Sequence, residues 1–141
     1  MKIILGFESS DGVPMLHELY NNLEDQINRF FNGRFYGYSI QKIYTGAICV
    51  SEEFDEFCVV RKPKFLRKEP ALEIEYKLDF QAYKQMENDQ RLNYNLITFL
   101  EKILELTNDS KVKDFDINLF VTDLKDFIER HEQRLLIGTC L

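Results

Sequence analysis

Residues 71–80 read ALEIEYKLDF, and no other stretch of the chain constrains its fold as tightly. Leu72, Ile74, Tyr76 and Leu78 alternate with Glu73, Glu75, Lys77 and Asp79. A two-residue period predicts a β-strand, because successive side chains leave opposite faces of a pleated backbone. One face of this strand meets an apolar core and the other meets water or a partner. The charged row admits three readings: a solvating surface, a catalytic carboxylate site, or part of a binding surface.

The rest of the chain supplies elements for that strand to pack with. Residues 2–8 predict a first strand, and Pro14 suits the first turn of a helix, where a missing N–H costs nothing. Leu16, Leu19, Tyr20, Leu23, Ile27, Phe30 and Phe31 then recur at helical spacing, with Gly33 as the stop signal. Residues 35–50 are β-rich, and Gly46 among them predicts a bulge or bend. An acidic loop (Glu52, Glu53, Asp55, Glu56) leads to a further predicted strand, FCVVR, at residues 57–61. Residues 61–68 hold five of the 18 basic residues, around Pro63 and Phe65. That composition suits a hairpin arm at a sheet edge, where Lys discourages further strand pairing and Pro is tolerated.

After ALEIEYKLDF, residues 81–86 open a helical segment, and Leu92, Leu96, Phe99, Leu100, Ile103 and Leu104 form an amphipathic stripe. Residues 108–113 break it. Asp116 is placed to cap a last helix with the stripe Ile117, Phe120, Val121, Leu124, Phe127 and Ile128. The predicted order is β-α-β-β-β-α-α. Consecutive strands with short connections predict an antiparallel sheet of about four strands, covered on one face by three amphipathic helices. The fold class is α+β, with residues 1–141 as a single domain; a chain of this length can bury most of its apolar surface.

Charge and composition narrow the partners. With 45% hydrophobic residues the chain is globular, and its net charge of −6 argues against direct nucleic-acid binding, which needs clustered cations to displace counterions. The same charge favours a basic partner through faster, sign-selective encounter. No apolar run reaches the ~20 residues that span a bilayer, and the start has no signal-peptide core. Cys49, Cys58 and Cys140 are an odd set without a C-x-x-C pair, which reads as reduced thiols in a cytoplasmic, soluble protein.

Glu75-Tyr76-Lys77, with an upstream acid such as Asp55, has the spacing of a small metal-dependent nuclease: carboxylates to hold Mg²⁺ and a Lys to orient water. The simpler reading is the wet face of a half-exposed strand. Residues 114–118 imitate the start of a calcium loop, but Leu119 stands where Gly is required and Lys125 where a bidentate Glu is required. His17-Glu18 and His131-Glu132 each lack a second His one turn on, and both histidines read as surface or boundary residues. There is no G-x-S-x-G and no phosphate-cradling glycine loop. Residues 34–38 (RFYGY) match an RNA-stacking strand only in part. On the last helix Asp123, Asp126, Glu129 and Glu132 read as a solvated face opposite the apolar stripe, or as part of an acidic contact patch. No catalytic set, no metal site and no cofactor are expected.

The strand LEIEYKLDF running into Tyr83-Lys84, together with the helix Phe115-Asp116-Ile117…Phe120…Asp123-Leu124…Phe127, resembles immunity proteins of bacterial polymorphic-toxin systems, including those of contact-dependent growth inhibition. The likeness covers residues 71–127. It implies a small α+β protein, not an enzyme, that binds and neutralises a cognate toxin C-terminal domain by protein–protein contact, with no direct nucleic-acid or membrane partner. An acidic surface suits a basic toxin such as a nuclease. The toxin contacts expected on this basis are Glu52, Glu53, Asp55 and Glu56 in the loop and Glu73, Glu75 and Asp79 on the sheet. A metal nuclease using Glu75 and Lys77, or a non-catalytic regulatory subunit, is the alternative.

Overall fold

Leu72, Ile74, Tyr76 and Leu78 are all buried, while Lys77 and Asp79 are exposed and Glu73 and Glu75 half-buried, as the two-residue period requires. The structure, a computed structural model, describes residues 2–10, 12–14, 16–33, 42–51, 60–62, 64–66, 71–105 and 117–139. Its elements are β1 (Lys2–Ser9), α1 (His17–Gly33), β2 (Lys42–Cys49), β3 (Lys64–Leu66), β4 (Ala71–Lys77), α2 (Phe80–Gln85), α3 (Asn88–Glu105) and α4 (Ile117–Thr139).

The class is α+β, but the sheet is not antiparallel. Its order is β1-β2-β4-β3; β1 and β4 both run parallel to β2, and only β3 pairs antiparallel, with β4. The reason is the length of the connections. A parallel pair needs a crossover long enough to bring the chain back to its starting end. Helix α1 provides one between β1 and β2, and residues 50–70 provide another between β2 and β4. The expectation took the later strands as joined by short loops and did not count the predicted helix between β1 and β2 as a crossover. Helices also number four among the described residues rather than three. Asp79 accepts a hydrogen bond from the Ala82 N–H at 2.8 Å and starts the extra helix α2.

Other local expectations also shift. Pro14 precedes the helix, which begins at His17 after Leu16 adopts a left-handed φ of 51°. Gly46 lies in regular register opposite Gly6 and Glu75, with no bulge. The predicted strand at 57–61, the acidic loop, the Asp116 cap, Cys58 and Cys140 lie outside the described residues, save that Val60 and Arg61 are in irregular backbone. Cys49 is a buried free thiol. His131 is buried, not a boundary residue: its Nδ1 lies 2.9 Å from Asn93 Oδ1 and its ring stacks on Phe127. Asp123 is buried too, rather than solvated with Glu129.

All described helices pack on one side of the sheet. The core unites Ile3, Ile43, Ala47, Leu72, Ile74 and Tyr76 from the strands with Tyr20, Leu23 and Ile27 of α1, Leu96, Phe99 and Ile103 of α3, and Phe120 and Leu124 of α4. A run of rings links the layers. Tyr76 stacks on Phe99, Phe99 meets Phe120 edge-on, and Phe120 stacks on Phe31 at 5.1 Å between centroids. Beneath the sheet sits one buried polar network. Asn95 Nδ2 donates to the Tyr20 hydroxyl at 3.2 Å, the Tyr20 and Tyr83 hydroxyls are 3.2 Å apart, and the Tyr76 hydroxyl donates to Asn95 Oδ1.

Helix α1 also seals the outer edge of β1. Asn28 accepts from the Ile3 N–H at 2.7 Å and donates to the Ile3 carbonyl at 2.9 Å, and Glu24 accepts from the Leu5 N–H at 2.9 Å. These groups would otherwise offer another strand a template. At the opposite end of the fold, Arg91 donates to the carbonyls of Tyr83 and Lys84 at 2.8 Å each, which satisfies the last turn of α2 and fixes the corner to α3. No described helix is long and apolar enough to cross a membrane.

Candidate functional site

The described helices lie on one side of the sheet, and the other face carries none of them. Its side chains follow from the register. Lys2 lies opposite Lys42; Ile4, Tyr44 and Glu73 form the next row, with Lys64 of β3 opposite Glu73. Gly6, Gly46 and Glu75 follow, then Glu8, Ile48 and Lys77; Ile48, and Ala71 beside Lys42, are buried, so the face is open only in part. Alternation puts them here because Ile3, Ile43 and Leu72, their neighbours in sequence, point into the core.

The glycine row is a trough with a structural cause. A Cβ on Gly6 would stand 2.6 Å from the Thr45 carbonyl oxygen, a backbone atom that cannot retreat cheaply. A Cβ on Gly46 would meet the Glu75 side chain at 3.3 Å. Glycine at 46 thus leaves room for Glu75 to lie across the sheet toward Arg61.

Arg61 organises the acidic residues of the face. Its backbone N–H donates to Glu75 at 3.0 Å, its Nε donates to the same carboxylate at 2.9 Å, and its Nη2 also reaches Glu75. The same Nη2 lies 3.5 Å from Glu73. The guanidinium hydrogen bonds hold the Glu75 carboxyl below the usual carboxylate range; partial burial opposes this and is outweighed. Glu75 is therefore an ionised internal partner, 14% exposed, whereas Glu73 is 33% exposed and offers more surface to a visitor.

The residues expected from the sequence thus separate. Glu73 and Glu75 share one face and one arginine. Asp79 lies beyond the strand, where its carboxylate caps α2 and its backbone N–H donates to the Tyr94 hydroxyl at 2.9 Å. Glu52, Glu53, Asp55 and Glu56 lie outside the described residues. Beside the face, a shallow cleft of about 290 Å³ between β4 and α3 is lined by Tyr76, Lys77, Thr98, Glu101 and Lys102. Lys102 is paired there with Glu105 at 3.1 Å.

Reading the sequence alone missed Arg61 as a clamp, the trough made by Gly6 and Gly46, and Tyr44 beside it. No local signal links Arg61 to residues 14 positions away, since only strand pairing brings them together. The period-two pattern of β2 does place Tyr44 on the outer face and was the available signal.

Among the described residues no three His, Cys, Asp or Glu side chains are grouped to hold a metal ion. The carboxylate on which a metal-nuclease reading would depend, Glu75, is already engaged by Arg61. The face combines a small glycine trough, half-buried Ile4 and Tyr44, and charges around them.

Comparison with known proteins adds one finding. A family model described as immunity protein 44 matches residues 1–130, nearly the whole chain. No curated protein and no solved structure matches.

Proposed function

We propose, from the premise that this chain belongs to the immunity protein 44 family, that it binds a cognate toxin C-terminal domain in the bacterial cytoplasm and neutralises it by contact, without catalysis. The system would be of the polymorphic-toxin or contact-dependent growth-inhibition kind. The observation that supports this most is the helix-free sheet face, which is broad enough and mixed enough in polarity to seat another protein.

In this reading Glu73 is a direct contact, and the loop acids Glu52, Glu53, Asp55 and Glu56 extend the acidic part of the interface. Glu75 and Asp79 support it from behind, by holding Arg61 and by starting α2. Acidic contacts fit a basic toxin surface such as that of a nuclease, whose phosphate-gripping cations they would occupy.

The test takes as toxin the C-terminal domain of any large secreted protein found to be encoded beside this gene. Its expression alone should arrest growth, and co-expression with this chain should restore it. Purified, the two should form a one-to-one complex of nanomolar or tighter affinity, and Glu73→Lys should weaken that complex most at low salt. Growth arrest that persists despite co-expression would sink the reading.

A further inference from the structure

We infer that Lys2, Lys42 and Lys64 form a cationic contact at one end of the helix-free sheet face, and that it receives a carboxylate-bearing patch of the bound toxin domain. The inference rests on the proposed function and adds to it the chemistry of a second contact, opposite in sign to the acidic one.

The register places Lys2 directly opposite Lys42 on neighbouring parallel strands. Adjacent strands lie about 4.8 Å apart, so two ammonium-bearing side chains leave the same face side by side. Lys64 joins them from β3, opposite Glu73, at roughly 12 Å from Lys42 by strand spacing and rise. None of the three takes part in an ion pair among the described residues. Lys64 has a carboxylate directly across from it, yet Glu73 is drawn to Arg61 instead.

Like charges set opposite each other on neighbouring strands work against folding, and nothing in the described fold offsets the pair here. The chain as a whole has six more acids than bases, so cations are scarce and carboxylates abundant. Three unpaired lysines, Lys2 and Lys64 exposed and Lys42 half-buried, on the sheet face that carries no described helix are thus available to a partner. Ile4 and Tyr44 lie between the lysine pair and the glycine trough, which gives the contact an apolar centre beside a charged rim. At the far end stands Glu8.

The sign arrangement selects the occupant. A phosphate backbone would meet Lys2 and Lys42 but also Glu8 and Glu73, and it would approach a chain of net charge −6. A folded protein can match both signs at once. A face of one sign lets a partner slide or rotate with little loss, whereas two opposite patches separated by an apolar centre fix its orientation.

The experiment measures affinity for the toxin domain encoded beside this gene, with Lys42→Glu, Lys64→Glu and the double variant. Lys125→Glu on α4 is the control, because it changes net charge equally on the helical side. Far-UV circular dichroism and melting confirm that each variant is folded. Each sheet-face reversal should weaken binding about tenfold or more, most strongly at low salt, while Lys125→Glu stays within about threefold of the parent. Equal losses for Lys42→Glu and Lys125→Glu would reduce the effect to net charge and overturn the inference. So would parent-like affinity of the double variant, or tight binding of duplex DNA that Lys42→Glu abolishes. If the parent chain itself does not bind the toxin domain, the proposed function fails first; if it binds tightly and the lysine variants match it, only this inference fails.

Discussion

Replacing Phe120 with alanine is expected to cost about 3–5 kcal/mol of folding stability. Phe120 is fully buried, and its ring touches Phe31 of α1 and Phe99 of α3. Phe99 continues the contact to Tyr76 of β4. One side chain thus joins α4 to two other helices and, through Phe99, to the sheet. The cavity left behind is lined by flat rings that cannot lean inward without losing contact on their other sides, so little of the loss is recovered by relaxation. Urea unfolding of the variant measures it directly. Ile97→Ala is the comparison: this residue is 39% exposed, and its truncation should stay near ~0.5 kcal/mol. A loss below about 1 kcal/mol for Phe120→Ala would mean the rings repack around a smaller residue.

Asn95→Leu should cost about 2–4 kcal/mol although it keeps the branched shape of the side chain and adds apolar surface. Asn95 is the hinge of the buried polar network, donating to the Tyr20 hydroxyl and accepting from that of Tyr76. Leucine leaves both hydroxyls in the core with one partner fewer. The penalty comes from the orphaned groups, not from the missing amide, and that distinction can be measured. Adding Tyr76→Phe to Asn95→Leu removes one orphan and should restore part of the loss, a non-additive result that simple cavity formation would not give.

The same network makes the fold sensitive to alkali. Burial raises the phenol pKa of Tyr20, Tyr76 and Tyr83 above the ordinary value near 10, and burial pushes the Cys49 thiol up to about 11. Each group holds its proton in the folded chain at a pH where the unfolded chain has released it. The folded state thus binds more protons, and stability falls as pH rises. Their contribution is intact below about pH 8 and declines from about pH 9, with Cys49 acting first and the tyrosines from about pH 10. Urea midpoints taken across this window should drop steadily, and Cys49→Ala should delay the onset. Midpoints unchanged up to about pH 11 would contradict the linkage.

The strand at 71–77 was legible because one side of it is wholly apolar and the other, from Glu73 on, wholly charged, so only one register buries the right residues. The stripes of α1, α3 and α4 were legible for the same reason at a helical period. Strand direction was not, because alternation is the same whichever way a neighbour runs. The information lay in connection length, which the segment from 50 to 70 obscured by carrying strand-like residues of its own. The acids of the candidate site were visible as acids, but their roles were not. Glu75 and Glu73 differ in function only through Arg61, and Asp79 became a cap because the strand stops two residues earlier. His131 and Asp123 were misplaced because a polar residue on an amphipathic helix defaults to the wet side, while packing between α3 and α4 widened the buried side.

The closure of β1 by α1 has a consequence in time rather than in space. An inhibitor of a toxin must be made before the toxin arrives and must wait, in excess and unoccupied. Waiting proteins meet copies of themselves far more often than they meet their target, and a sheet with a bare edge converts such meetings into fibres. Asn28 exchanges the same two bonds with Ile3 that a residue on an adjoining strand would exchange. Glu24 fills the next such position at Leu5. Helix α1 thus supplies the counterfeit of a fifth strand from Ile3 to Leu5, and over that stretch the edge is already taken.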